Sequence, residues 1–444
     1  MLAFGLLASM LVTALHDVSM AWDVWYYHLP FAARIWGIVP ASQFAYDPMN
    51  QARFDGFPLL GEALQGLLWR ITGRVQAANL VAFASVPLFA WLAKKKLGVP
   101  MAASILALLA VPLVQIHATS CYVDLPANAA MGALVLVTIA AWAEREPPGD
   151  ATITLGLACG AVAANMKALL HPIVALALVA LLWRVRKRRV LALAALAMPI
   201  VFFTPLKNLV LHHNPYYPVA FLHLPGPDDP YSSSPVWLEH APRPIRFVCS
   251  VLEIGARPMS DPRRWTVDQW TPPSAPGYRM GGFFGLYAAA SLALFAWLVV
   301  RRRAERGARA AAIGFGALTA LVSVLPQSHE LRYYMGWMMV LVVLDLWLLG
   351  RAFAPRAMPA VVVAIAAVVL VTRGAYLYPS GESFDQLVRS ETDARVVGRV
   401  HDGERVCVRH APWNFLWASR FHAPKSYAVT EVDVPAECAG ARSL

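Results

Sequence analysis

The sequence predicts an all-α polytopic membrane protein with about 11 transmembrane helices, and three observations lead to this fold class. Of its 444 residues 58% are hydrophobic and only 15% charged, and the mean hydropathy is +0.51. These values lie far outside the composition of soluble domains. The formal net charge is +11, but the basic residues occur in short clusters between apolar runs. Such clusters mark the cytoplasmic loops of membrane proteins, so the charge does not indicate a nucleic-acid partner.

Eleven apolar stretches approach or reach the roughly 20 residues that a membrane helix needs. The predicted spans are residues 1–16, 75–93, 99–117, 125–143, 151–167, 168–183, 190–210, 281–300, 310–326, 335–350 and 358–376. The stretch 151–183 could instead hold one helix and a re-entrant segment. We favour two helices there, because only then do all the basic clusters fall on one side, as the positive-inside rule requires.

With an odd number of spans and the basic clusters in the cytoplasm, the N-terminus is predicted to be cytoplasmic and the C-terminus to lie outside. The first span could alternatively be a cleaved signal peptide. We favour an uncleaved helix, because cleavage would remove one span from the count that places all the basic loops on the cytoplasmic side. The polar, non-basic segments then lie on the outer face, where we expect any chemistry, at residues 17–74, 120–124, 211–280, 327–334 and 377–444.

The first outer loop contains two amphipathic segments. Residues 29–37 open at Pro30, a favoured residue of a first helical turn. Residues 58–73 place leucines on one face and polar residues on another, which is typical of helices that lie in the membrane interface. Carboxylates at a bilayer boundary need a partner or a functional role. The loop has three that this pattern leaves unexplained, Asp23, Asp55 and Glu62.

The five cysteines are too few for a disulfide framework. Cys407 and Cys438 both fall in the outer tail and could pair there, and unpaired thiols are an equal alternative. The sequence has no CxxC motif, no metal-ligand spacing, no Walker loop and no nucleotide fingerprint. This argues against an ATP-driven pump and against an enzyme that uses a nucleotide sugar.

Four segments together resemble the GT-C superfamily of membrane glycosyltransferases, of the protein mannosyltransferase and aminoarabinose transferase type. They are an acidic residue before an aromatic/His–Leu–Pro segment (WDVWYYHLP, 22–30), the turn YVDLP (122–126), HHNPYYPVAF (212–221) and SHELRYYM (328–335). The third departs from the family's GNPxYP pattern, since a histidine replaces the glycine. The resemblance covers the predicted membrane domain, residues 1–376.

The resemblance implies transfer of a sugar from a polyprenyl-monophosphate carrier on the extracytoplasmic face. The acceptor would be an envelope lipid, a glycan or a protein, and the displacement at the anomeric carbon would be inverting. The leaving group is already a phosphate ester, so it needs no acid. The reaction needs one base for the acceptor hydroxyl and cationic donors for the phosphate.

Asp23 is the predicted base, because it occupies the family's acidic position at the start of the first outer loop. It could alternatively cap a helix or pair with a nearby arginine. Asp124 is the second candidate, although the proline that follows makes a helix cap at least as plausible. Asp17 is a third candidate, with a capping role as its alternative.

Arg332 is the predicted phosphate ligand, with His329 and Tyr333 beside it, because a guanidinium matches phosphate oxygens in a bidentate fashion. It could instead extend to lipid headgroups, and Glu330 could simply pair with it. We expect Asp23 and Arg332 to face one cavity at the outer leaflet. Further candidates for substrate contacts are Lys207, Lys167 with His171, and Tyr27 and His28.

No cofactor is predicted. A divalent metal is possible but unsupported, because the histidines and aspartates of the second outer loop match no fixed ligand spacing. These are His212, His213, His223, Asp228 and Asp229.

The expected partners are the lipid-linked donor, an envelope acceptor and the bilayer, with no nucleic acid. Residues 377–444 are predicted to form a separate extracytoplasmic α/β or β-rich segment, since short strand-like runs appear there. The composition suggests a bacterial source. The topology and the resemblance then imply an inner-membrane protein with its active site on the periplasmic side. The alternatives are a transporter or flippase of a lipid-linked substrate, a ligase with a diphosphate-linked donor, and a non-catalytic assembly protein. Transporters usually have related halves, which this sequence lacks.

Overall fold

The computed structural model describes residues 1–19, 21–220, 223–228, 234–261, 264–265, 273–275, 277–352, 358–372, 383–409, 411–432, 438 and 442–443. Within these ranges the protein is mostly helical. The first half has helices α1 (Leu2–His16), α2 (Leu29–Ile35), α3 (Pro48–Gly56), α4 (Leu60–Thr72), α5 (Leu80–Leu97), α6 (Met101–Leu109), α7 (Pro112–Ala118), α8 (Asp124–Ala143), α9 (Asp150–Met166) and α10 (His171–Trp183). The remaining helices are α11 (Arg188–Val201), α12 (Phe203–His212), α13 (Arg243–Val251), α14 (Gly285–Arg301), α15 (Arg306–Val324), α16 (Met335–Ala352), α17 (Met358–Thr372), α18 (Phe384–Glu391) and α19 (Ala394–Arg399).

The helices confirm a membrane protein. Among the described residues, four helices are long and apolar enough to cross a bilayer, and two bent pairs raise the count to six. The four are Val75–Leu97, Asp124–Ala143, Arg306–Val324 and Leu331–Ala352. Five shorter apolar helices coincide with the remaining predicted spans, at Leu2–His16, Asp150–Met166, Ala168–Trp183, Gly285–Arg301 and Ala360–Thr372. The full count of eleven spans stays a prediction, and residues 373–376 lie outside the described part.

Two predicted spans are not continuous helices, which corrects the sequence interpretation. The span 99–117 bends by 97° between α6 and α7, and the span 190–210 bends by 60° between α11 and α12. Pro112 opens α7 and Pro199 lies near the end of α11. A proline removes a backbone donor and clashes with the preceding turn, so it breaks or kinks a helix. A hydropathy profile does not reveal such a break, because the residues on both sides of it are apolar.

The basic clusters meet at one end of the bundle. The Arg184 guanidinium donates to the carbonyls of residues 144–146, and Arg306 donates to Trp142 at the end of α8. Lys96 donates to Thr152 at the start of α9. The 20 residues of α8 are about 30 Å long at 1.5 Å per residue. Asp124, at the other end of α8, therefore lies a membrane thickness away from the basic clusters.

A small parallel sheet joins the C-terminal tail to the first outer loop. Its strands are β1 (Phe44–Ala45), β2 (Arg405–Arg409), β3 (Ala428–Val432) and β4 (Arg442–Ser443), in the order β1-β3-β2-β4. Phe44 is in register with Val429, so the loop supplies the edge strand. Cys407 and Cys438 form a disulfide, which decides between the two alternatives left open above. The strand from the first loop was not predicted, because its two residues are too few to show an alternating strand pattern.

The helix geometry predicts that the basic end and the tail lie on opposite sides of the membrane. We expect His401→Cys, in the exposed tail, to react with a membrane-impermeant maleimide in intact spheroplasts. Arg186→Cys, in the exposed α10–α11 connection, should react only after permeabilisation. The parent protein provides the labelling background of its own thiols. Equal labelling of both variants in intact cells would contradict this arrangement.

Candidate active site

Asp23 and Arg332 form an ion pair at the end of the bundle opposite the basic clusters. Asp23 precedes a π-helical turn, Val24–His28, that leads directly into α2. Arg332 lies in a 3₁₀ turn, Leu331–Tyr334, that leads into α16. Asp23 Oδ2 is 3.0 Å from Arg332 Nη1. The two most favoured residues of the sequence analysis thus meet across 309 positions of the chain.

Aromatic rings enclose the Arg332 guanidinium. Nη2 donates to the Tyr333 hydroxyl at 2.8 Å. The guanidinium carbon lies 4.7 Å from the Tyr333 ring centroid and 5.5 Å from that of Tyr122. Glu330 Oε2 is 3.6 Å from Nε, which makes no hydrogen bond within the described structure. Cation–π contacts strengthen when the cation is removed from water, so this setting holds the guanidinium plane in place.

Lys167 and Asp124 form a second ion pair beside the first. The chain leaves α9 at Lys167 in an extended conformation, with φ −150° and ψ 117°, before the next helical turn begins. This break brings Lys167 to Asp124, the first residue of α8, and places the ammonium 4.1 Å from the Tyr333 ring centroid. Tyr333 therefore contacts both cations.

Asn128 connects the two ion pairs through the backbone. Its amide nitrogen donates to the carbonyls of Asp124, Arg332 and Tyr333 at 2.8, 3.3 and 3.2 Å. Its amide oxygen accepts from the Gly336 N–H at 2.9 Å. A Cβ on Gly336 would lie 2.4 Å from Met131 Cε and 2.8 Å from the Asn128 carbonyl, so this approach of α16 to α8 requires glycine. Asn128 was not predicted to have this role, because a lone asparagine in an apolar helix belongs to no recognisable motif.

His28 and Glu62 form a third buried pair. His28 Nδ1 is 2.7 Å from Glu62 Oε1, and each side chain is 4% exposed. Helix α4 buries its polar face, with Glu62 and Gln65, and exposes the apolar residue Ile71. This orientation suits a helix whose apolar face meets lipid. It also gives Glu62, unexplained by the sequence, its partner.

Arg279 is a residue of this region that the sequence analysis missed. Its Nη1 lies 3.1 Å from Glu330 Oε1, and both side chains are almost fully buried. Arg279 belongs to the second outer loop, away from the basic clusters, as Arg332 does. The reasoning that selected Arg332 could therefore have selected Arg279 too.

The structure brings together five of the predicted site residues and places others nearby. Asp23, Asp124, Lys167, Arg332 and Tyr333 are linked by the contacts above. Tyr27 and His28 adjoin this cluster, with ring centroids 4.3 Å apart, and the His28 ring is 5.8 Å from that of Tyr122. Burial raises the pKa of Tyr27 well above its usual value, and the charge of Asp23 raises it further. Tyr27 is therefore a neutral phenol that can donate a hydrogen bond.

Two of the predicted site residues, Lys207 and His329, make hydrogen bonds outside the cluster. Lys207 donates to the backbone carbonyl of Asp55, in α3. His329 is buried, and its carbonyl accepts from the Ser250 hydroxyl in α13. Of the two lysines predicted to contact the substrate, Lys167 is therefore the one in the cluster.

The described residues contain no group of three potential metal ligands. In the second outer loop, the His212 ring stacks on Tyr217 at 3.7 Å between centroids, and Asp228 pairs with Arg53 at 2.9 Å. Asp229 lies outside the described residues.

Accessibility separates the carboxylates of this region. The side chain of Asp23 is 22% exposed, whereas those of Asp124, Glu62 and Glu330 are 2–4% exposed. A base must reach the proton that it abstracts, so Asp23 is the best placed of the four. Among the cations, Lys167 is 15% exposed and Arg332 only 6%.

The chain resembles two solved structures of ArnT from Cupriavidus metallidurans over nearly its whole length. With the structure bound to undecaprenyl phosphate the TM-score is 0.58 at 13% identity, covering 98% of this chain and 90% of that one. With the apo structure the TM-score is 0.54 at 13% identity, covering 96% and 86%. No protein-family model and no curated protein matches the sequence. The likeness establishes an ArnT-like membrane fold for this chain.

The Lys167–Asp124 pair should stabilise the fold. Asp124→Asn leaves the lysine charge without its partner, which costs about 3–5 kcal/mol in buried pairs, and Asp124→Asn/Lys167→Met should recover part of this loss. The control is Asp150→Asn, which removes an exposed pair with Lys187 at the basic end. Such surface pairs contribute about 0–1 kcal/mol. Thermal unfolding in detergent compares the stability of the variants. An equal loss of stability in Asp124→Asn and Asp150→Asn would contradict a stabilising role for the Lys167–Asp124 pair.

Proposed function

We propose that the protein transfers a sugar from a polyprenyl-monophosphate carrier to an acceptor on the extracytoplasmic side of the membrane. The observation that carries this proposal is the contact between an accessible carboxylate, Asp23, and a buried guanidinium, Arg332, within an ArnT-like fold. The related structure with undecaprenyl phosphate supports a donor of this lipid class.

Asp23 acts as the base in this proposal. An acceptor hydroxyl attacks the anomeric carbon, its proton passes to the Asp23 carboxylate, and the bond from that carbon to the phosphate oxygen breaks. The polyprenyl phosphate leaves with the electron pair. The ion pair with Arg332 holds the Asp23 carboxylate in place at the accessible side of the cluster.

Lys167 and Arg332 hold the phosphate as its charge develops. An in-line displacement puts the base and the leaving group on opposite faces of the sugar. We therefore assign the closer phosphate contact to Lys167, which is not paired with the base. The Tyr333 ring and its hydroxyl lie between that lysine and Arg332. The buried surroundings strengthen these interactions, because few water dipoles screen them.

The site lies at the end of the bundle that is remote from the basic clusters. The positive-inside rule places those clusters in the cytoplasm, so the site faces the outside. This supports a periplasmic site in a bacterial inner membrane. The acceptor would be an envelope lipid, a glycan or a protein.

Asp23→Asn should abolish transfer, because the amide cannot accept a proton. We expect a loss of at least about 10²-fold, the lower range for general base catalysis. The assay gives the purified protein in lipid a panel of radiolabelled polyprenyl-monophosphate sugars and a crude envelope extract as acceptor. Asp55→Asn, a first-loop carboxylate bonded to Gln51, is the matched control and should keep its activity.

The outcomes of this assay separate the alternatives. Transfer that survives in Asp23→Asn would move the base to another carboxylate. If the parent transfers nothing but binds a donor, the acceptor is missing from the extract. If it neither transfers nor binds, the transporter hypothesis gains support.

Lys167→Gln should raise the KM for the donor at least about tenfold, since one charge-assisted hydrogen bond is worth about 1.5–3 kcal/mol. Lys167→Arg should restore part of the affinity. Lys207→Gln is the matched control, because Lys207 contacts only a backbone carbonyl of α3 in the described structure. A larger effect at Lys207 than at Lys167 would reverse the assignment.

A further inference from the structure

A half-open cleft lies where α4 meets the C-terminal tail, apart from the Asp23–Arg332 pair. Its volume is about 150 Å³. That is roughly ten times the 15 Å³ that a single water needs, so it has room for a small polar group. The residues that line it are Ile38, Trp69, Arg70, Gly73, Val75, Phe384, Arg420 and Phe421.

The floor of the cleft is aromatic. The Trp69 and Phe421 rings are nearly parallel, with centroids 6.5 Å apart, and Phe384 meets Phe421 edge-on at 5.2 Å. Behind the floor, Trp25 stacks on Phe384 at 5.9 Å. These rings belong to the buried core shared by the first outer loop and the tail. The cleft therefore has a defined shape set by packed side chains.

Two arginines from different segments line this cleft without a counter-charge. Arg70 comes from the last turn of α4 and Arg420 from the tail, and both are exposed. Neither forms a hydrogen bond or an ion pair with any residue that the structure describes, and the lining contains no aspartate or glutamate. A favourable interaction with the C-terminal end of α4 explains why an arginine without a counter-charge is tolerated at position 70, but it does not explain Arg420. The fork of N–H donors on a guanidinium matches phosphate oxygens, so two arginines beside one aromatic floor are the chemistry that an anionic phosphate requires.

The cleft lies at the membrane boundary. Val75, in its lining, is the first residue of the candidate span Val75–Leu97, and Lys94–Lys96 mark the other end of that span. Arg74 Nη2 donates to the Leu15 carbonyl at the end of α1, at 2.9 Å. Ile71, next to the lining residue Arg70, is 71% exposed. Lipid phosphates lie at this depth, and an apolar side chain exposed beside the site would contact the acyl region.

We propose that this cleft binds the phosphate of an anionic membrane lipid of the outer-side leaflet, held between Arg70 and Arg420. Basic pockets at membrane boundaries recognise lipid headgroups in this way. Because one arginine comes from the first loop and the other from the tail, the bound lipid would join the two segments. The proposal does not depend on the transfer reaction, since none of the lining residues belongs to the ion-pair cluster.

The test measures lipid binding to the full-length protein in detergent. The probes are phosphatidylglycerol, phosphatidylcholine and inorganic phosphate. Native mass spectrometry counts the retained lipids, and the thermal midpoint is followed as each probe is titrated. The variant is Arg70→Gln/Arg420→Gln. The matched control is Arg405→Gln/Arg409→Gln, which removes the same charge from two exposed arginines of β2.

We expect phosphatidylglycerol to raise the midpoint of the parent more than phosphatidylcholine does. The apparent affinity for phosphatidylglycerol should fall at least about tenfold in the cleft variant and stay within about twofold in the control. Unchanged affinity in the cleft variant would overturn the proposal. So would an equal rise with inorganic phosphate, because the site would then not require a lipid.

A second variant guards against misfolding. Both arginines are exposed, so the lipid-free midpoint of the cleft variant should match that of the parent. If it is lower, Arg420→Lys and Arg420→Glu are compared. The lysine should retain most of the binding and the glutamate should lose it, whereas equal binding by the two would overturn the proposal.

Discussion

The neutralisation of buried charge at one end of the bundle is the constraint on which this structure depends. Asp23 meets Arg332, and Asp124 meets Lys167. The first pair spans 309 residues of sequence and the second 43. A buried charge without its partner costs several kcal/mol, so neither member of a pair can take its place alone. The first outer loop, the start of α8, the α9–α10 corner and the turn before α16 must therefore assemble together.

The apolar bundle holds this polar cluster in place. Helices α8 and α16 are buried along almost their whole length, and Asn128 of α8 joins them by accepting from the Gly336 N–H of α16. Its amide nitrogen donates to the backbone carbonyls of Asp124 and Arg332, one residue from each ion pair. Tyr122 and Tyr333 enclose the Arg332 guanidinium. Asp124, Glu62 and Glu330 are each buried and paired with a basic side chain, whereas Asp23 keeps access to the outside. Such a division suits a site in which fixed charges orient one reactive group.

The C-terminal tail and the first outer loop form one unit over the site. The loop contributes β1 to the sheet of the tail, and Trp22 contacts Trp413 edge-on at 6.2 Å between ring centroids. Trp22 is the direct neighbour of Asp23, so the position of the tail bears on the position of the proposed base. A lipid bound between Arg70 and Arg420 would act on the same junction from the membrane side.

The sequence by itself determined the membrane class and the places of most helices, and the resemblance to a family singled out Asp23 and Arg332 as separate candidates. Hydropathy, basic clusters and the four family segments are local signals, and each can be recognised without knowledge of the fold. Tertiary structure alone decided that Lys167 and not Lys207 joins the cluster, that Glu62 faces inward and that Cys407 pairs with Cys438. It also decided the bends between α6 and α7 and between α11 and α12. The physical reason is that ion pairs, disulfides and helix breaks depend on which distant segments come within a few ångströms, and no local pattern encodes that distance.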